Sequence, residues 1–426
     1  MENLIELHIK EFRAIASADI ILNGITVVAG INGAGKSTLS RLLYDTFKYA
    51  NDYEFLVLRE ANKELRAYLS VLEQLISYGP KNALEIIHGS ARSLFYDRIF
   101  VSSLDDIPTF IDDVKFICKK FIDSIQNNDG TRNFLFPPRL RRILGLDDKC
   151  DIQEIEKSVE KLKKQVLSIV NKAKRQYDER PLSLLKEQFL IDFNQFPNML
   201  ISEYGEEIMK TNVPILHYVK KALYVDTPMA IGLDISSSLP THWNEMNAII
   251  RERAHRGYSR SINNILKNKI LKGDIIYDDS EYVPMLKYKR DDDRVYDLAE
   301  CATGIKSMAL LQLLLKNRYL DENTLLIIDE PEAHLHPQWI IEYARVLVLL
   351  HKKIGVKLFI ASHSTDMVSA IKYITEKEKV ANMTSFYVAK EKTNHKYDYA
   401  FLKNDIEPIF ESFNKSFDIL ERYGEN

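Results

Sequence analysis

The feature that most constrains the fold of this chain is a glycine-rich stretch, Gly30–Thr38, with the sequence GINGAGKST. It matches the pattern G-x-x-x-x-G-K-[ST], in which backbone N–H groups wrap around the phosphates of a nucleotide. The apolar run Ile25–Ala29 before it reads as a buried strand, and Ser37–Phe47 after it has apolar residues at helical spacing. Strand, loop and helix in this order predict a phosphate site at a helix N-terminus, where unpaired N–H groups and the helix dipole favour negative charge.

The residue types of this P-loop assign roles to its members. We expect Lys36 to reach the β- and γ-phosphates and the Ser37 hydroxyl to bind Mg²⁺. The chain has only 15 glycines in 426 residues, yet four of them lie between positions 24 and 35, as a backbone that must approach a polyphosphate requires. The residues predicted to bind the nucleotide at this loop are Gly30, Asn32, Gly33, Gly35, Lys36, Ser37 and Thr38.

Composition bounds the class of protein. A chain of 426 residues is longer than one hydrophobic core usually accommodates, so two lobes or domains are expected. Apolar residues make up 46% and charged residues 28%, which is typical of a soluble globular protein, and the net charge of −3 does not favour nucleic-acid binding although it allows a local basic face. The three cysteines are widely separated and suggest neither a disulfide framework nor a metal motif. With no secretory signal and no apolar run of the ~20 residues that span a bilayer, we expect a cytoplasmic protein without a membrane partner.

Two further apolar runs end in polar residues that suit phosphate chemistry. Leu325–Ile328 is followed by Asp329 and Glu330. An Asp at a strand end beside a P-loop can hold Mg²⁺, and the next Glu can polarise the attacking water, although a carboxylate pair can also cap a turn. The run Val356–Ala361 leads to His363, which could hydrogen-bond the γ-phosphate or be a structural histidine. The predicted catalytic residues are therefore Glu330, His363 and Lys36, and the predicted metal ligands are Ser37 and Asp329.

Together these motifs resemble those of a known group of ATPases. The segments that carry the resemblance are IKEFR at 9–13, GINGAGKST at 30–38, DEPEAHLHP at 329–337 and ASHS at 361–364. They are similar to the ABC-type ATPases of the RecF, SMC and OLD group, and among these most similar to the OLD-like AAA-family ATPases of bacterial anti-phage defence systems. The resemblance covers about residues 1–50 and 273–390. It implies an α/β fold, namely a P-loop ABC-type ATPase head with a mixed sheet and a large α-helical insertion, with ATP and Mg²⁺ as cofactors.

The resemblance also implies a signature segment that completes the active site of a neighbouring subunit. The matching stretch is Cys301–Lys306, which departs from the L-S-G-G-Q pattern and shares with it only Gly304. Thr303 and Gly304 therefore join the predicted nucleotide-binding residues, and a homo-oligomer, a dimer or higher, is expected. His334 and His336 could suggest a metal site, but no third ligand is visible, and the resemblance implies that their loop lies at the subunit interface. A Q-loop is not recognisable.

The spacing of apolar residues divides the chain. It predicts a mostly helical segment at residues 51–272, and the resemblance implies that this segment is an insertion into an ATPase core of residues 1–50 and 273–426. Within the insertion, apolar residues from Ile152 to Ala173 alternate spacings of three and four, which predicts a long helix, packed in a bundle or in a coiled coil. Ala222–Asp226 is predicted to be a short strand that returns to the core.

Three classes of function are compatible with these features. The first is a sensor or scaffold ATPase of anti-phage defence that controls a separate effector, such as a TOPRIM-type or HNH-type nuclease, since we expect no nuclease domain in the residues after His363. The second is a RecF- or SMC-like DNA-binding ATPase of DNA repair. The third is a transporter nucleotide-binding subunit, which is the weakest because the helical insertion and the loop 330–336 do not resemble those of transporter ATPases. DNA binding could use the basic clusters Arg139–Arg142 and Arg251–Arg260, which could equally be solvated surface.

Overall fold

A computed structural model describes residues 5–78, 101–126, 144–147, 151–226, 231, 241–252, 260–278, 285–333, 335–403 and 405–413. The chain divides into two compact units. The first unit comprises Met1–Asn51, Phe189–Lys210 and Pro214–Asn426, and the second comprises Asp52–Gln188 and Thr211–Val213. None of the described helices combines the length and the apolar character that crossing a membrane requires.

A ten-stranded mixed sheet forms the centre of the first unit. Its strands are β1 (Ile5–Phe12), β2 (Ile15–Ile21), β3 (Ile25–Ala29), β4 (Asn198–Glu203), β5 (Glu206–Glu207), β6 (Lys221–Val225), β10 (Thr324–Asp329), β11 (Lys357–Ser362), β12 (Thr384–Thr393) and β13 (Lys396–Lys403). The strands follow the order β5-β4-β1-β2-β13-β12-β3-β11-β10-β6. A separate three-stranded antiparallel sheet contains β7 (Gly273–Asp278), β8 (Met285–Arg290) and β9 (Val295–Asp297).

The middle of the large sheet is parallel. Strand β11 lies between β3 and β10 and pairs with both in parallel, and β6 pairs in parallel with β10. Every residue of β3, β10 and β11 is buried, as expected for parallel strands covered on both faces, which explains their continuous apolar sequences. Because parallel strands end at the same edge, the loops after β3, β10 and β11 lie together.

Helices make up most of the remaining described chain. They are α1 (Lys36–Asn51), α2 (Tyr53–Tyr78), α3 (Ile107–Gln126), α4 (Ile152–Glu179), α5 (Leu182–Phe193), α6 (Thr241–Arg251), α7 (Arg260–Ile265), α8 (Thr303–Lys316), α9 (Pro337–Ile354) and α10 (Thr365–Lys377). A π-helical turn, Leu266–Leu271, follows α7. All residues of α8 from Lys306 onward are buried, as suits a helix that is apolar on most of its surface.

The second unit has its own core, formed by α2, α3 and α4. Six apolar side chains of α4 are buried in it: Ile155, Val159, Leu162, Val166, Val170 and Ala173. These residues, except Ala173, share one hydrophobic cluster with side chains of α2 and α3. The predicted long helix is thus confirmed, and its apolar face packs in a bundle, the first of the two arrangements that the spacing allowed.

The second unit is shorter than the predicted insertion of residues 51–272. Residues 189–210 and 214–272 belong to the first unit, to which they contribute β4, β5, β6, α6 and α7. Strand β6 confirms the short strand predicted at Ala222–Asp226, and it lies beside β10 in parallel. The mixed α/β fold predicted for the chain is confirmed by this sheet and its helices.

Candidate functional site

The P-loop connects β3 to α1 and needs glycine at specific positions. Gly33 and Gly35 have φ values of +82° and +91°, a region that side-chain-bearing residues rarely adopt. At Gly35 a Cβ would also lie 3.3 Å from Ala14 Cβ and from Ile15 Cγ1, whereas at Gly33 it would meet nothing within 4 Å. At Gly30 a Cβ would come 2.8 Å from Ala389 Cβ. Gly30 and Gly35 therefore also allow the loop to lie close to neighbouring strands, a requirement additional to the predicted approach of the backbone to a polyphosphate.

Lys36, the first residue of α1, turns back over the loop. Its ammonium group donates to the carbonyl oxygens of Gly30 at 2.8 Å and Ile31 at 3.0 Å, and the residue is only 5% exposed. Burial lowers the pKa of Lys36, while the negative charges of Glu330 and Asp329 oppose that shift. The cation of the P-loop therefore lies near the acidic residues at the end of β10, Asp329 and Glu330.

Asp329 is the last residue of β10 and is buried. Desolvation raises the pKa of its carboxyl group to about 6, and hydrogen bonding from Ser37 opposes that rise. The Tyr224 hydroxyl donates to Asp329 Oδ2 at 3.4 Å, whereas Oδ1 has no hydrogen-bond partner within the part of the chain that the structure describes. A buried carboxylate with an unpaired oxygen, next to a hydroxyl, suits a hard cation such as Mg²⁺, which prefers oxygen ligands and keeps several waters.

Glu330 follows Asp329 with a strained backbone. Its φ of +53° lies in the left-handed region, which costs a residue with a side chain about 1 kcal/mol or more. A backbone hydrogen bond of 2.8 Å from Glu330 N to Ala361 O holds this conformation against β11. The side chain remains 39% exposed, so its carboxylate is accessible to solvent at the edge where β3, β10 and β11 end.

His363 follows β11 at the same edge. Its Nδ1 atom lies 3.4 Å from Glu330 Oε1 and 3.3 Å from Glu332 Oε1, and its side chain is 39% exposed. Lys36, Asp329, Glu330 and His363 thus come from the ends of three adjacent parallel strands, as the sequence predicted.

Sequence reasoning missed one residue of this cluster, Glu332. The residue is only 7% exposed, and its Oε1 accepts hydrogen bonds from Ser362 Oγ at 2.9 Å and from the backbone N–H of His363 at 2.7 Å. The one available signal was a third acid two positions after Glu330. Its partners lie thirty residues further along the chain, and only the pairing of β10 with β11 brings them together.

The predicted signature segment lies at the N-terminus of α8. Ala302 is the N-cap residue and makes no side-chain capping hydrogen bond. A Cβ at Gly304 would lie 3.3 Å from Leu335 Cδ2 and 3.4 Å from Trp339 Cε3, and the three nearest atoms include none from the P-loop. Thr303 and Gly304 stay predicted nucleotide-binding residues, with a role that requires a neighbouring subunit.

The remaining sequence candidates fall partly outside the described residues. Arg139–Arg142 and His334 lie outside them, as do residues 253–259 of the second basic cluster. His336 is the N-cap residue of α9, and its Nδ1 accepts from Gln338 N at 3.4 Å. Within the described ranges, no group of three or more His, Cys, Asp or Glu side chains could hold a metal ion.

Comparison with known proteins identifies a family for most of the chain. The AAA ATPase domain family matches residues 3–368. No curated protein matches the chain.

Among solved structures, the SMC head domain from Thermotoga maritima is 11% identical, with a TM-score of 0.37, and the match covers 93% of this chain and 98% of that one. The Smc head domain of Pyrococcus furiosus, bound to the C-terminal domain of ScpA, is 11% identical with a TM-score of 0.34, and the match covers 98% of both chains. These values describe a distant likeness, from which no function follows.

Proposed function

The chain belongs to the AAA ATPase domain family, and on that premise we propose that it hydrolyses ATP, with Mg²⁺, at the edge where β3, β10 and β11 end. The observation that carries the proposal is the convergence of one buried cation, Lys36, with the acidic pair Asp329–Glu330 and His363. The family match supports ATP as the nucleotide. The expected ATPase is thereby confirmed at the level of the family, whereas the OLD-like subgroup stays a prediction.

Each residue of the site has a role in this proposal. Lys36 and the N–H groups of the P-loop bind the phosphates, and Ser37 with Asp329 would hold Mg²⁺, which neutralises phosphate charge when bound. Glu330 polarises the attacking water, and its exposed carboxylate suits this role because a base must reach solvent-derived water. His363 contacts the γ-phosphate from the end of β11.

We further propose that the site is of the ABC type and is shared between subunits. In this arrangement, Thr303 and Gly304 of one subunit face Lys36 of another, ATP stabilises the association and hydrolysis releases it. The uncapped N-terminus of α8 supports the idea, because its free N–H groups can bind an anion.

The biological role that we propose is a cytoplasmic sensor or scaffold subunit of anti-phage defence, which controls a separate effector such as a TOPRIM-type or HNH-type nuclease. Its support is the similarity of DEPEAHLHP at 329–337 to OLD-like ATPases. The alternative is a RecF- or SMC-like DNA-binding ATPase. ATP-dependent, salt-sensitive DNA binding would favour the alternative, and co-purification with the product of a neighbouring nuclease gene would favour the defence role.

The catalytic assignment is tested by Glu330→Gln. The variant keeps the shape of the side chain but loses the base, so we expect ATP binding within about twofold of wild type and a loss of turnover of about 10²- to 10⁴-fold. Glu376→Gln on α10 is a matched control, since it removes the same charge from an exposed glutamate that pairs with Lys372. Undiminished phosphate release by Glu330→Gln would remove Glu330 from the mechanism.

A further inference from the structure

We propose that Glu332 is a positioning residue that holds the His363 ring with its proton on Nδ1, so that Nε2 keeps the lone pair and is the nitrogen that takes up a second proton and then donates it to the γ-phosphate. The proposal rests on the proposed function in one respect, since it concerns the ring that is to contact the γ-phosphate. It adds a residue that neither the motifs nor the family match assigns to the site.

The contacts of Glu332 fix the ring and its backbone together. The same carboxylate oxygen, Oε1, accepts from the His363 backbone N–H at 2.7 Å and lies 3.3 Å from His363 Nδ1. An ionised carboxylate can only accept hydrogen bonds, so the proposed tautomer places the hydrogen on Nδ1, the ring nitrogen that lies nearest to it. A neutral imidazole has one N–H, which leaves the lone pair on Nε2.

Glu332 also anchors the turn on which His363 sits. Ser362 Oγ donates to Glu332 Oε1 at 2.9 Å, and the Ser364 N–H donates to Ser362 Oγ at 3.0 Å. Ser364 in turn caps α10 by accepting from Met367 N at 3.3 Å. Through these bonds the loop after β10 determines where the loop after β11 presents its histidine.

Two carboxylates lie near Nδ1, and their surroundings assign them different tasks. Glu332 is 7% exposed and already binds Ser362 and the His363 backbone, so its position is fixed before any ligand binds. Glu330 Oε1 is 3.4 Å from Nδ1, but its side chain is 39% exposed. Because Glu332 holds the histidine, Glu330 remains available to polarise water.

Ring tautomers can be observed directly in the full-length chain. We would record ¹⁵N–¹H correlation spectra of the histidine rings at pH 8 without nucleotide, and identify the His363 signals among the 10 histidines by their absence in His363→Gln. Wild type should show Nδ1 protonated and Nε2 unprotonated, and Glu332→Ala should shift the ring toward the Nε2–H form. A wild-type ring protonated on Nε2, or an unchanged Nδ1–H form in Glu332→Ala, would overturn the proposal.

Turnover gives an independent readout. We expect Glu332→Ala to lower kcat by about 10- to 100-fold, as loss of an orienting partner does, with a smaller change in KM for ATP. Glu332→Gln keeps an oxygen that accepts from Ser362 and His363, so its kcat should lie between those of wild type and Glu332→Ala. The control variant Glu376→Gln should have the kcat of wild type. Equal kcat values in wild type and Glu332→Ala would contradict a positioning role.

The two proposals fail separately. The spectra need no nucleotide, so a wild-type chain that releases no phosphate would refute the proposed function while the tautomer result still decides the role of Glu332. If Glu332→Ala does not fold, Glu332→Met decides instead, because it fills a similar volume without an oxygen acceptor: a shift toward the Nε2–H form supports the proposal, and a spectrum identical to that of wild type overturns it.

Discussion

At the scale of single residues, the site combines features that cost stability with features that suit catalysis. Asp329 and Lys36 are both buried, and desolvation favours the neutral form of each side chain. It raises the pKa of Asp329 and lowers the pKa of Lys36. Glu330 adds a left-handed backbone. Such strain persists where the surrounding structure enforces it, here the pairing of β10 with β11. A bound cation would compensate the charge of Asp329, and a polyphosphate would compensate the charge of Lys36. We therefore interpret the cluster as a ligand-binding site and not as part of the hydrophobic core.

The two left-handed glycines of the P-loop provide a matched pair of variants. Gly35→Ala introduces both a disfavoured φ and a Cβ 3.3 Å from Ala14 and Ile15, whereas Gly33→Ala introduces only the disfavoured φ. We expect Gly33→Ala to cost about 1 kcal/mol and Gly35→Ala to cost more, up to about 3 kcal/mol. Thermal unfolding of both variants measures the difference, and equal losses would show that contact with β2 is unimportant.

The raised pKa of Asp329 predicts a pH-dependent effect. The pKa of Asp329 is about 6 in the folded protein, above its usual value of 3.8. The folded protein therefore binds this proton more tightly than the unfolded protein does. As pH rises from 4 through 6 the carboxyl group ionises, and the free energy of unfolding falls. Without Mg²⁺ or nucleotide, Asp329→Asn should therefore be more stable than wild type at pH 8, by about 1–3 kcal/mol, and the advantage should shrink toward pH 4. Urea denaturation at several pH values checks this; an advantage independent of pH would contradict the assignment.

At the scale of elements, the strands that position the site are those that the sequence defined best. Continuous apolar runs predicted β3, β10 and β11, because strands buried on both faces need apolar residues at every position. Strands β4 and β5 were not predicted, since β4 does not alternate buried and exposed residues and β5 has only two residues, both exposed. Glu332 was missed for a different reason. Its role depends on its burial and on hydrogen-bond partners at the end of another strand, and the sequence around Glu332 predicts neither.

Helix α4 allows a test of the second unit. Val166 is fully buried against the cluster shared with α2 and α3. Val166→Ala should cost about 2 kcal/mol, from lost burial and the cavity left behind. The control is Lys164→Ala, an exposed position on the same helix, which should change stability little. Limited proteolysis within the second unit reports the difference, and equal cleavage of the two variants would contradict the packing.

At the scale of the whole molecule, we expect self-association that depends on ATP. In a Glu330→Gln background, which should trap bound ATP, the chain is expected to form a dimer or a higher oligomer. Adding Gly304→Glu places a negative charge where the γ-phosphate of a neighbour would bind, and should keep the chain monomeric while each monomer still binds ATP. Light scattering after size-exclusion chromatography measures the mass. Oligomers that form equally with and without Gly304→Glu would refute the signature role.

If ATP is hydrolysed at the P-loop of this chain, the reaction requires Lys36, and Lys36→Met removes its charge. Lys352→Met removes a cation from an exposed pair with Glu378 and is the matched control. ATP binding and phosphate release are measured on the same preparations with Mg²⁺. We expect Lys36→Met to lose ATP binding and to release phosphate at least about 10²-fold more slowly, while Lys352→Met behaves as wild type. Phosphate release by Lys36→Met at the wild-type rate would show that ATP is not hydrolysed at this loop.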